Sequence, residues 1–544
     1  MSKPSAQQRL SVPGKIAFSV VPLLLLLGGG ELVARLSGKD FSIKRFFYIA
    51  GGHEEYYGTS KLSVPYQAHP PYYWTGQPKA GFFNSDGFRG REWILDKPPG
   101  TTRIAIMGCS CTLGGQEPYA DRIERVLRQA LGEEKYDVLN FGIGSSSTHQ
   151  VLQILQNHTL KFKPDVATLF SGWNDRWVHD GRRDAQHKLP SATSAGLWDF
   201  LTGHSQLFKA MVYRADTYGN AKPQQRVPPA DYARNLRRFV KICRDHNIRP
   251  VLCTTPDGLP ASSVLDRFNE NKKKRDWDSD LFDLYKDKAD DPIAVWNYIQ
   301  KLYNDTVKEV AADENVDLID LDAEVAARRK LYEEPPFFFF KDGIHFAELG
   351  LQELAGIYAR HLVRGDDRDR LAAYLDSPAY YLTNAYQFAR QYQFYVADEF
   401  IRRGEALQGA PYEGINDLRT EISSNETFYT TFDMARIELS NRGDYDKAEV
   451  GLKQALDMRP DEHNIRLELA KLAYDRGQYE KCINYALGEK VNYKPENLYK
   501  ALWMGVEAAN ALRRSDLVIK ILQDIRRLFP QDERARQILA QAGM

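Results

Sequence analysis

Between residues 100 and 364 the chain alternates short apolar segments with longer amphipathic ones, and this alternation restricts the fold more than any other feature. Helical patterns such as YADRIERVLRQAL at 119–131 separate segments that are short, apolar and rich in branched residues. The predicted strands are RIAIM at 103–107, YDVLNF at 136–141, DVATLF at 165–170, RPVLCTT at 249–255 and VDLIDL at 316–321. Such alternation predicts a parallel sheet covered by helices on both faces. Active sites of these sheets lie in the loops after the carboxyl ends of the strands.

Three of these loops, and one later segment, carry side chains suited to acyl transfer. The first strand is followed by Gly108–Thr112, the second by Asn140–Ser145 and the third by Gly172–Asp175. The segment Asp342–His345 comes just before a helix predicted to begin near Ala347. Each motif is weak alone, but together they occur in order around one predicted edge of the sheet.

A serine hydroxyl is a weak nucleophile and requires a base within hydrogen-bond reach. We therefore predict Ser110 as the nucleophile, His345 as its base and Asp342 as the carboxylate that orients the imidazole. The tetrahedral intermediate also needs hydrogen-bond donors aimed at its oxyanion. The candidate donors are the backbone N–H of Ser110, a backbone N–H of the Gly144–Ser145 turn and the side-chain amide of Asn174.

Ser110 lies between Cys109 and Cys111, which raises the alternative of a metal or redox site. The chain has only 5 cysteines, and no CxxC or Cys/His spacing accompanies this pair. We therefore predict that the two cysteines pack around the serine and that the protein needs no metal or other cofactor. The 73 basic and 73 acidic residues leave no net charge, so the composition gives no sign of the concentrated basic surface that nucleic-acid binding requires.

These motifs, in this order, resemble the SGNH (GDSL-like) hydrolase family. The family's Gly-Asp-Ser-Leu block corresponds to Gly108–Cys111, its Gly-x-Asn-Asp block to Gly172–Asp175 and its Asp-x-x-His block to Asp342–His345. The resemblance implies a flavodoxin-like three-layer αβα sandwich that hydrolyses or transfers an ester, often an acetyl group on a glycan or a lipid ester. Two positions depart from the pattern: Cys109 stands where the family often has Asp, and the oxyanion glycine of the second block falls on Ser145.

From residue 365 onward strand patterns end, and the sequence predicts an all-α domain with an internal repeat. A unit that begins at residue 441, NRGDYDKAEVGLKQALDMRP, returns 34 residues later as DRGQYEKCINYAL. The matched pairs are Gly443 with Gly477, Tyr445 with Tyr479 and Ala448 with Cys482. This period and pattern resemble the tetratricopeptide repeat, which implies docking of a protein partner.

The N-terminus contains an apolar run over residues 16–30, preceded by Lys3, Arg9 and Lys15. We predict an uncleaved transmembrane signal anchor over residues 15–36, with a cleaved signal peptide and a buried helix as alternatives. Basic residues flank the run on both sides and do not fix its orientation. From the signal-like layout we expect the bulk of the protein outside the cytoplasm, at the periplasmic face of a bacterial inner membrane.

The sequence therefore predicts a membrane-anchored serine esterase that acts on a glycan or lipid ester, with O-acetyl groups on an envelope glycan as the favoured target. One alternative is an acyltransferase that uses the same three residues to modify an extracytoplasmic polysaccharide. Another is a repeat scaffold whose hydrolase domain is idle. The predicted organisation is a cytoplasmic tail (1–14), the anchor (15–36), an irregular lead-in (37–99), the hydrolase-like domain (100–364) and the repeat domain (365–544).

Overall fold

The computed structural model describes residues 12–38, 66–69, 73–79, 82–115, 117–176, 178–179, 183–188, 197, 200–201, 204–211, 224–256, 292–332, 339–341, 344–391, 393–437, 445–488, 493 and 495–542. The chain divides into two compact units. The first consists of Met1–Tyr48 and Lys188–Ala221, and the second of Ile49–His187 and Lys222–Met544.

The first unit contains the N-terminal helix α1, Val12–Leu36. Glu31 on this helix accepts hydrogen bonds from the Ser205 hydroxyl (2.8 Å) and from the backbone N–H groups of Gln206 (3.0 Å) and Leu207 (2.9 Å). Among the residues that the structure describes, none belongs to a helix that combines the length and the apolar character needed to cross a membrane. The predicted transmembrane anchor over residues 15–36 is therefore not shown.

The second unit contains the strands, and five of them form the predicted parallel sheet in the order β4-β3-β5-β8-β9. The strands are β1 (Tyr66–His69), β2 (Tyr73–Gly76), β3 (Thr102–Gly108), β4 (Tyr136–Gly142), β5 (Val166–Phe170), β6 (Val178–His179), β7 (Gln224–Gln225), β8 (Arg249–Cys253) and β9 (Asp317–Ile319). The sheet register pairs Ile104 with both Val138 and Val166, so β3 lies between β4 and β5. Strands β1 and β2, and strands β6 and β7, form separate antiparallel pairs.

Helices connect the strands of the sheet and cover it. They are α2 (Ser110–Leu113), α3 (Tyr119–Leu131), α4 (Thr148–Ile154), α5 (Pro229–Asp245), α6 (Pro292–Asp313), α7 (Leu321–Arg329) and α8 (Glu348–Leu362). One group, α3 with α8, and a second group, α4, α5 and α6, each pack together through buried apolar side chains. Strand β3 is buried on both of its faces, which explains its continuous apolar run. These observations confirm the predicted three-layer α/β architecture.

The C-terminal part of the second unit is helical, as predicted. Its helices are α9 (Asp366–Leu375), α10 (Pro378–Arg390), α11 (Phe394–Gln408), α12 (Asn416–Ile437), α13 (Tyr445–Met458), α14 (His463–Asp475), α15 (Tyr479–Leu487), α16 (Pro495–Ala511), α17 (Ser515–Leu528) and α18 (Glu533–Gln541). Consecutive helices from α12 to α18 pack against one another. One buried apolar cluster runs from the sheet into helices α9–α14, so the helical part shares its core with the α/β part.

The repeat positions that hold small side chains are buried, as expected where two helices approach closely. Ala448 and Cys482 are both fully buried, and Gly477, which follows the C-cap residue Arg476 of α14, has a positive φ of 69°. A left-handed residue at this position is the common way to end a helix, and glycine adopts it without steric cost. Gly443 lies outside the described residues. The predicted domain boundaries at residues 99/100 and 364/365 remain predictions.

Candidate active site

Ser110 is the first residue of helix α2, and only Cys109 separates it from the carboxyl end of strand β3. Cys109 has an extended backbone, and its carbonyl accepts the N–H of Leu113 at 2.9 Å, which closes the first helical turn. A Cβ atom on Gly108 would lie 2.2 Å from Thr112 Oγ1 and 2.3 Å from the Phe170 carbonyl oxygen. The glycine before the serine is therefore required, because the helix and the neighbouring strand leave no room for a side chain.

The predicted base lies beside the predicted nucleophile. The Nε2 atom of His345 is 2.8 Å from the Oγ atom of Ser110. Before α8, the Lys341 N–H donates to the His345 carbonyl at 2.7 Å and so holds the backbone of the histidine. The Cys111 thiol donates to the Ile344 carbonyl at 3.2 Å, which ties helix α2 to the residue next to the histidine. Asp342, the predicted orienting carboxylate, lies outside the described residues, so its role remains a prediction.

The two cysteines beside the serine are buried, whereas Ser110 is partly exposed. A hydrogen bond from Cys111, with the positive field of His345 as a smaller cause, outweighs burial and lowers the pKa of the Cys109 thiol to about 7. Across the described ranges, no three His, Cys, Asp or Glu side chains converge in a way that could hold a metal ion. Cys109 and Cys111 both belong to the buried apolar cluster of the second unit.

The second predicted loop lies next to helix α2. A Cβ atom on Gly142 would come within 2.4 Å of the Leu113 backbone nitrogen, so β4 approaches the nucleophile helix closely. The Asn140 side chain bridges the two elements, since it donates to the Thr112 carbonyl (3.0 Å) and accepts from the Gly142 N–H (2.9 Å). The following turn contains Ser145 in the left-handed region, with a φ of 60°.

The amide of Asn174 reaches this same turn and donates to the Ser146 carbonyl at 3.1 Å. A primary amide has two N–H groups, so this bond uses one of the two donors. The structure thus places Asn174 against the turn that contains Gly144 and Ser145. Which of Gly144 and Ser145 supplies a backbone donor to an oxyanion remains a prediction.

Asp175 has a structural task that the motif alone does not reveal. Its carboxylate is fully buried and accepts the Thr148 N–H at 2.9 Å, at the N-terminus of α4, and also the Thr148 hydroxyl. Burial raises its pKa to about 6, although these hydrogen bonds oppose the shift. Asp175 lies 27 residues along the chain from Thr148, and the N-cap of α4 is Ser147, so no local sequence pattern predicts this contact.

Arg226 and Asp184 were not among the predicted site residues. They form a buried ion pair, with 2.9 Å between Arg226 Nη2 and Asp184 Oδ2. Arg226 also donates to the Ser145 carbonyl at 2.9 Å. Neither residue belongs to a motif or follows a strand of the large sheet, so sequence patterns gave no signal for them.

Comparisons with known proteins bear on this geometry. Residues 104–352 match the GDSL-like Lipase/Acylhydrolase family, and residues 441–488 match the tetratricopeptide repeat. Among curated proteins, none matches the chain.

Solved structures with similarity to the chain include three bacterial enzymes. A lipase/acylhydrolase from Enterococcus faecalis is 19% identical, with 48% of this chain and 95% of that chain covered and a TM-score of 0.29. An acetylxylan esterase from Geobacillus stearothermophilus is 15% identical (49% and 96% covered, TM-score 0.30). A GDSL-like lipase from Bacteroides thetaiotaomicron is 12% identical (47% and 85% covered, TM-score 0.26).

The five-stranded parallel sheet lies within residues 104–352 except for its first two residues, so the observed α/β fold and the family match cover the same part of the chain. The chain therefore carries an ester-cleaving hydrolase domain of the GDSL-like type, followed by a tetratricopeptide-type repeat.

Proposed function

We propose that the protein is a serine esterase in which Ser110 is the nucleophile and His345 the general base. The observation that carries this proposal is the 2.8 Å contact between His345 Nε2 and Ser110 Oγ at the carboxyl end of the sheet. A serine hydroxyl needs a base at this distance to become a nucleophile. The same contact argues for an active hydrolase domain over an idle one.

The proposed reaction proceeds in two halves. Ser110 Oγ attacks the ester carbonyl carbon while its proton passes to His345 Nε2, which gives a tetrahedral oxyanion. The oxyanion collapses, the C–O bond to the alcohol breaks, and the imidazolium returns the proton to the leaving alcohol. Water then attacks the acyl-serine with the same base, which releases the carboxylic acid and restores the serine hydroxyl. In this proposal Asp342 orients His345.

The turn at Gly144–Ser145 and the amide of Asn174 are the proposed oxyanion donors, together with the Ser110 N–H. Their grouping around one turn supports this assignment, because fixed donors stabilise developing charge more than mobile solvent does. We further propose an O-acetyl group on an envelope glycan as the target. Its support is the family resemblance of the nucleophile, Asn174 and His345 blocks.

The membrane anchor over residues 15–36 and the extracytoplasmic location also belong to the proposal. Their support is the apolar run over residues 16–30. Fractionation of cells that express the full chain tests this part, since an anchored protein stays with the membrane after a carbonate wash. A tetratricopeptide-type repeat that binds a protein partner completes the proposal, supported by the match over residues 441–488.

Labelling with a fluorophosphonate tests the nucleophile. We expect the purified protein to react with the probe and Ser110→Ala to remain unlabelled, with peptide mapping locating the adduct on Ser110. Ser205→Ala, a hydroxyl of the first unit that bonds to Glu31, serves as the matched control and keeps the label. A label that persists in Ser110→Ala, or that never forms, overturns the proposal. If the label forms, acetate release compared with transfer to a glycan acceptor decides between hydrolysis and acyl transfer.

A further inference from the structure

Three successive carbonyl groups in the turn between β4 and α4 are each held by a side-chain donor from elsewhere in the unit. The three bonds are Trp74 Nε1 to the Gly144 oxygen (3.0 Å), Arg226 Nη1 to the Ser145 oxygen (2.9 Å) and Asn174 Nδ2 to the Ser146 oxygen (3.1 Å). This turn is the one proposed to supply a backbone donor to the oxyanion. Its carbonyls are thus fixed from three different parts of the chain.

Fixing a carbonyl also fixes the N–H of the next residue, because the two point in opposite directions across a planar trans peptide. The bond from Trp74 to the Gly144 carbonyl therefore sets the direction of the Ser145 N–H. Ser145 itself has a φ of 60°, a region that residues with a side chain seldom occupy. Such a conformation persists only where its surroundings enforce it. The Arg226 bond to the Ser145 carbonyl is the contact that acts on this residue directly.

Arg226 and Asp184 hold the turn from both of its ends. Both residues are 2% exposed. The Arg226 Nε atom lies 3.2 Å and 3.1 Å from the two carboxylate oxygens of Asp184, and Nη2 lies 2.9 Å from Oδ2. Asp184 in turn accepts the Ser147 hydroxyl at 2.7 Å. The pair therefore connects the Ser145 carbonyl to the Ser147 side chain at the start of α4.

Burying two charges costs solvation free energy, and apolar residues of similar volume often give equal or greater stability. Burial alone would raise the pKa of Asp184, but the charge and hydrogen bonds of Arg226 lower it overall, so the carboxylate is ionised at neutral pH. A guanidinium with fixed, diverging donors can hold a carboxylate and a backbone carbonyl together. Such a bridge keeps the backbone of Ser145 in one orientation, which an oxyanion site requires of the residues that carry its donors.

We propose that Arg226 and Asp184 are positioning residues that hold Ser145 in its left-handed conformation and thereby keep the backbone donor of the Gly144–Ser145 turn directed at the oxyanion. This inference rests on the proposed serine esterase function. The pair touches no reacting atom and acts through the turn.

Two Arg226 variants and a matched control test the role of the pair. Arg226→Gln removes the charge, and Arg226→Lys keeps it but replaces the planar fork by a single ammonium. The control is Arg103, which is equally buried and bonds to Asp137 at 2.6 Å, at the amino end of β3 and thus opposite Ser110. Arg103→Gln and Arg103→Lys make the same chemical changes at a site remote from the turn. Circular dichroism and thermal unfolding of all four variants establish that folded protein is compared.

For hydrolysis of p-nitrophenyl acetate, we expect Arg226→Gln to lower kcat at least about 10-fold with little change in KM, since loss of a whole oxyanion donor costs about 10²- to 10³-fold. The rate of fluorophosphonate labelling should fall in parallel, and Arg226→Lys should recover part of both losses. Asp184→Asn, which keeps the shape of the side chain, should show the same division between kcat and KM. If the Arg226 variants do not fold, this variant carries the test.

Arg103 variants should lose stability without this loss of kcat. Equal kcat losses in the Arg226 and Arg103 variants, or a change confined to KM, overturn the inference and leave the esterase proposal standing, provided that the wild type labels at Ser110. A wild type that neither labels nor hydrolyses overturns both.

Discussion

The Nε2 atom of His345 lies 2.8 Å from the Oγ atom of Ser110, although 235 residues separate the two along the chain. The contact is supported next to the serine by the hydrogen bond from the Cys111 thiol to the Ile344 carbonyl. The residues next to Ser110 and His345 therefore also contact each other and help to hold the pair together. The geometry therefore depends on how helix α2 and the segment that carries Ile344 and His345 pack against each other.

Replacement of His345 by alanine removes the proton acceptor that contacts Ser110. We expect kcat/KM for an activated acetyl ester to fall about 10²- to 10⁴-fold, the contribution typical of a general base. His361→Ala is the control, since this partly exposed histidine contacts Glu324 instead. Similar activity losses in both variants would contradict the assignment of His345 as the base.

Gly142→Ala should disturb both stability and turnover. The new methyl group would meet the Leu113 nitrogen at 2.4 Å and the Thr112 carbonyl carbon at 2.5 Å, and both are backbone atoms of the nucleophile helix. We expect a loss of about 1–3 kcal/mol in the free energy of unfolding, the usual cost of overpacking, together with a lower kcat.

The control for this substitution is Gly356→Ala in helix α8. There the nearest atom to the added methyl group is the Tyr380 hydroxyl oxygen at 3.8 Å, an ordinary contact. We expect a gain of about 0.4–1 kcal/mol, because alanine restricts the unfolded chain without strain in the helix. Urea unfolding measures both variants, and a Gly142→Ala protein as stable as the wild type would refute the close approach.

Asp175→Asn should change how stability depends on pH. The buried carboxyl has a pKa of about 6 against an ordinary value of 3.8, so the folded protein binds this proton more tightly than the unfolded chain does. The contribution of Asp175 to the free energy of unfolding is therefore greatest below pH 4 and decreases as the pH rises to about 6. The variant lacks this titration. Its stability relative to the wild type should rise from pH 4 to pH 6 and stay constant above, and a difference that is flat over this range would contradict the prediction.

Glu348→Gln should destabilise the protein by removing the nearer of the two carboxylates that pair with a buried cation. Arg122 is fully buried and pairs with Glu348 on helix α8, and burial lowers its pKa. Removal of one partner from a buried ion pair costs about 3–5 kcal/mol. Glu324→Gln removes a partly exposed partner of His361 and should cost less than about 1 kcal/mol. Equal unfolding midpoints for the two variants would contradict the role of Arg122.

The part of this site that the sequence predicts is the part created by one strand and the loop after it. Ser110, Gly144 and Asn174 each follow an apolar run, and parallel strands bring their carboxyl ends to one edge, so periodicity is enough to place them together. The periodicity of the sequence does not reveal which side chains of separate loops donate hydrogen bonds to the turn between β4 and α4. Trp74 and Arg226 reach the turn from β2 and from the segment after β7, and tertiary packing alone decides those contacts.

Cys109→Ala should show that the thiol supports the nucleophile turn without performing the chemistry. Cys109 is fully buried, and the hydrogen bond from Cys111 lowers its pKa to about 7 from an ordinary value of 9.0. Loss of its buried sulfur should cost about 1 kcal/mol, the scale for removal of a small buried group, while Ser110 and His345 keep their contact and turnover persists.

The lowered pKa gives this variant a second signature. Because the folded protein favours the thiolate more than the unfolded chain does, the contribution of Cys109 to stability is full above pH 9 and is lost as the pH falls to about 7. The stability difference between the wild type and Cys109→Ala should therefore widen from pH 7 to pH 9. Cys111→Ala removes the side-chain hydrogen bond that is the largest cause of the shift but keeps the Cys111 backbone N–H, so it should weaken this pH dependence while Cys109 is still present. Urea unfolding across this pH range measures both variants, and loss of fluorophosphonate labelling at Ser110 in a folded Cys109→Ala protein would contradict the expectation that turnover persists.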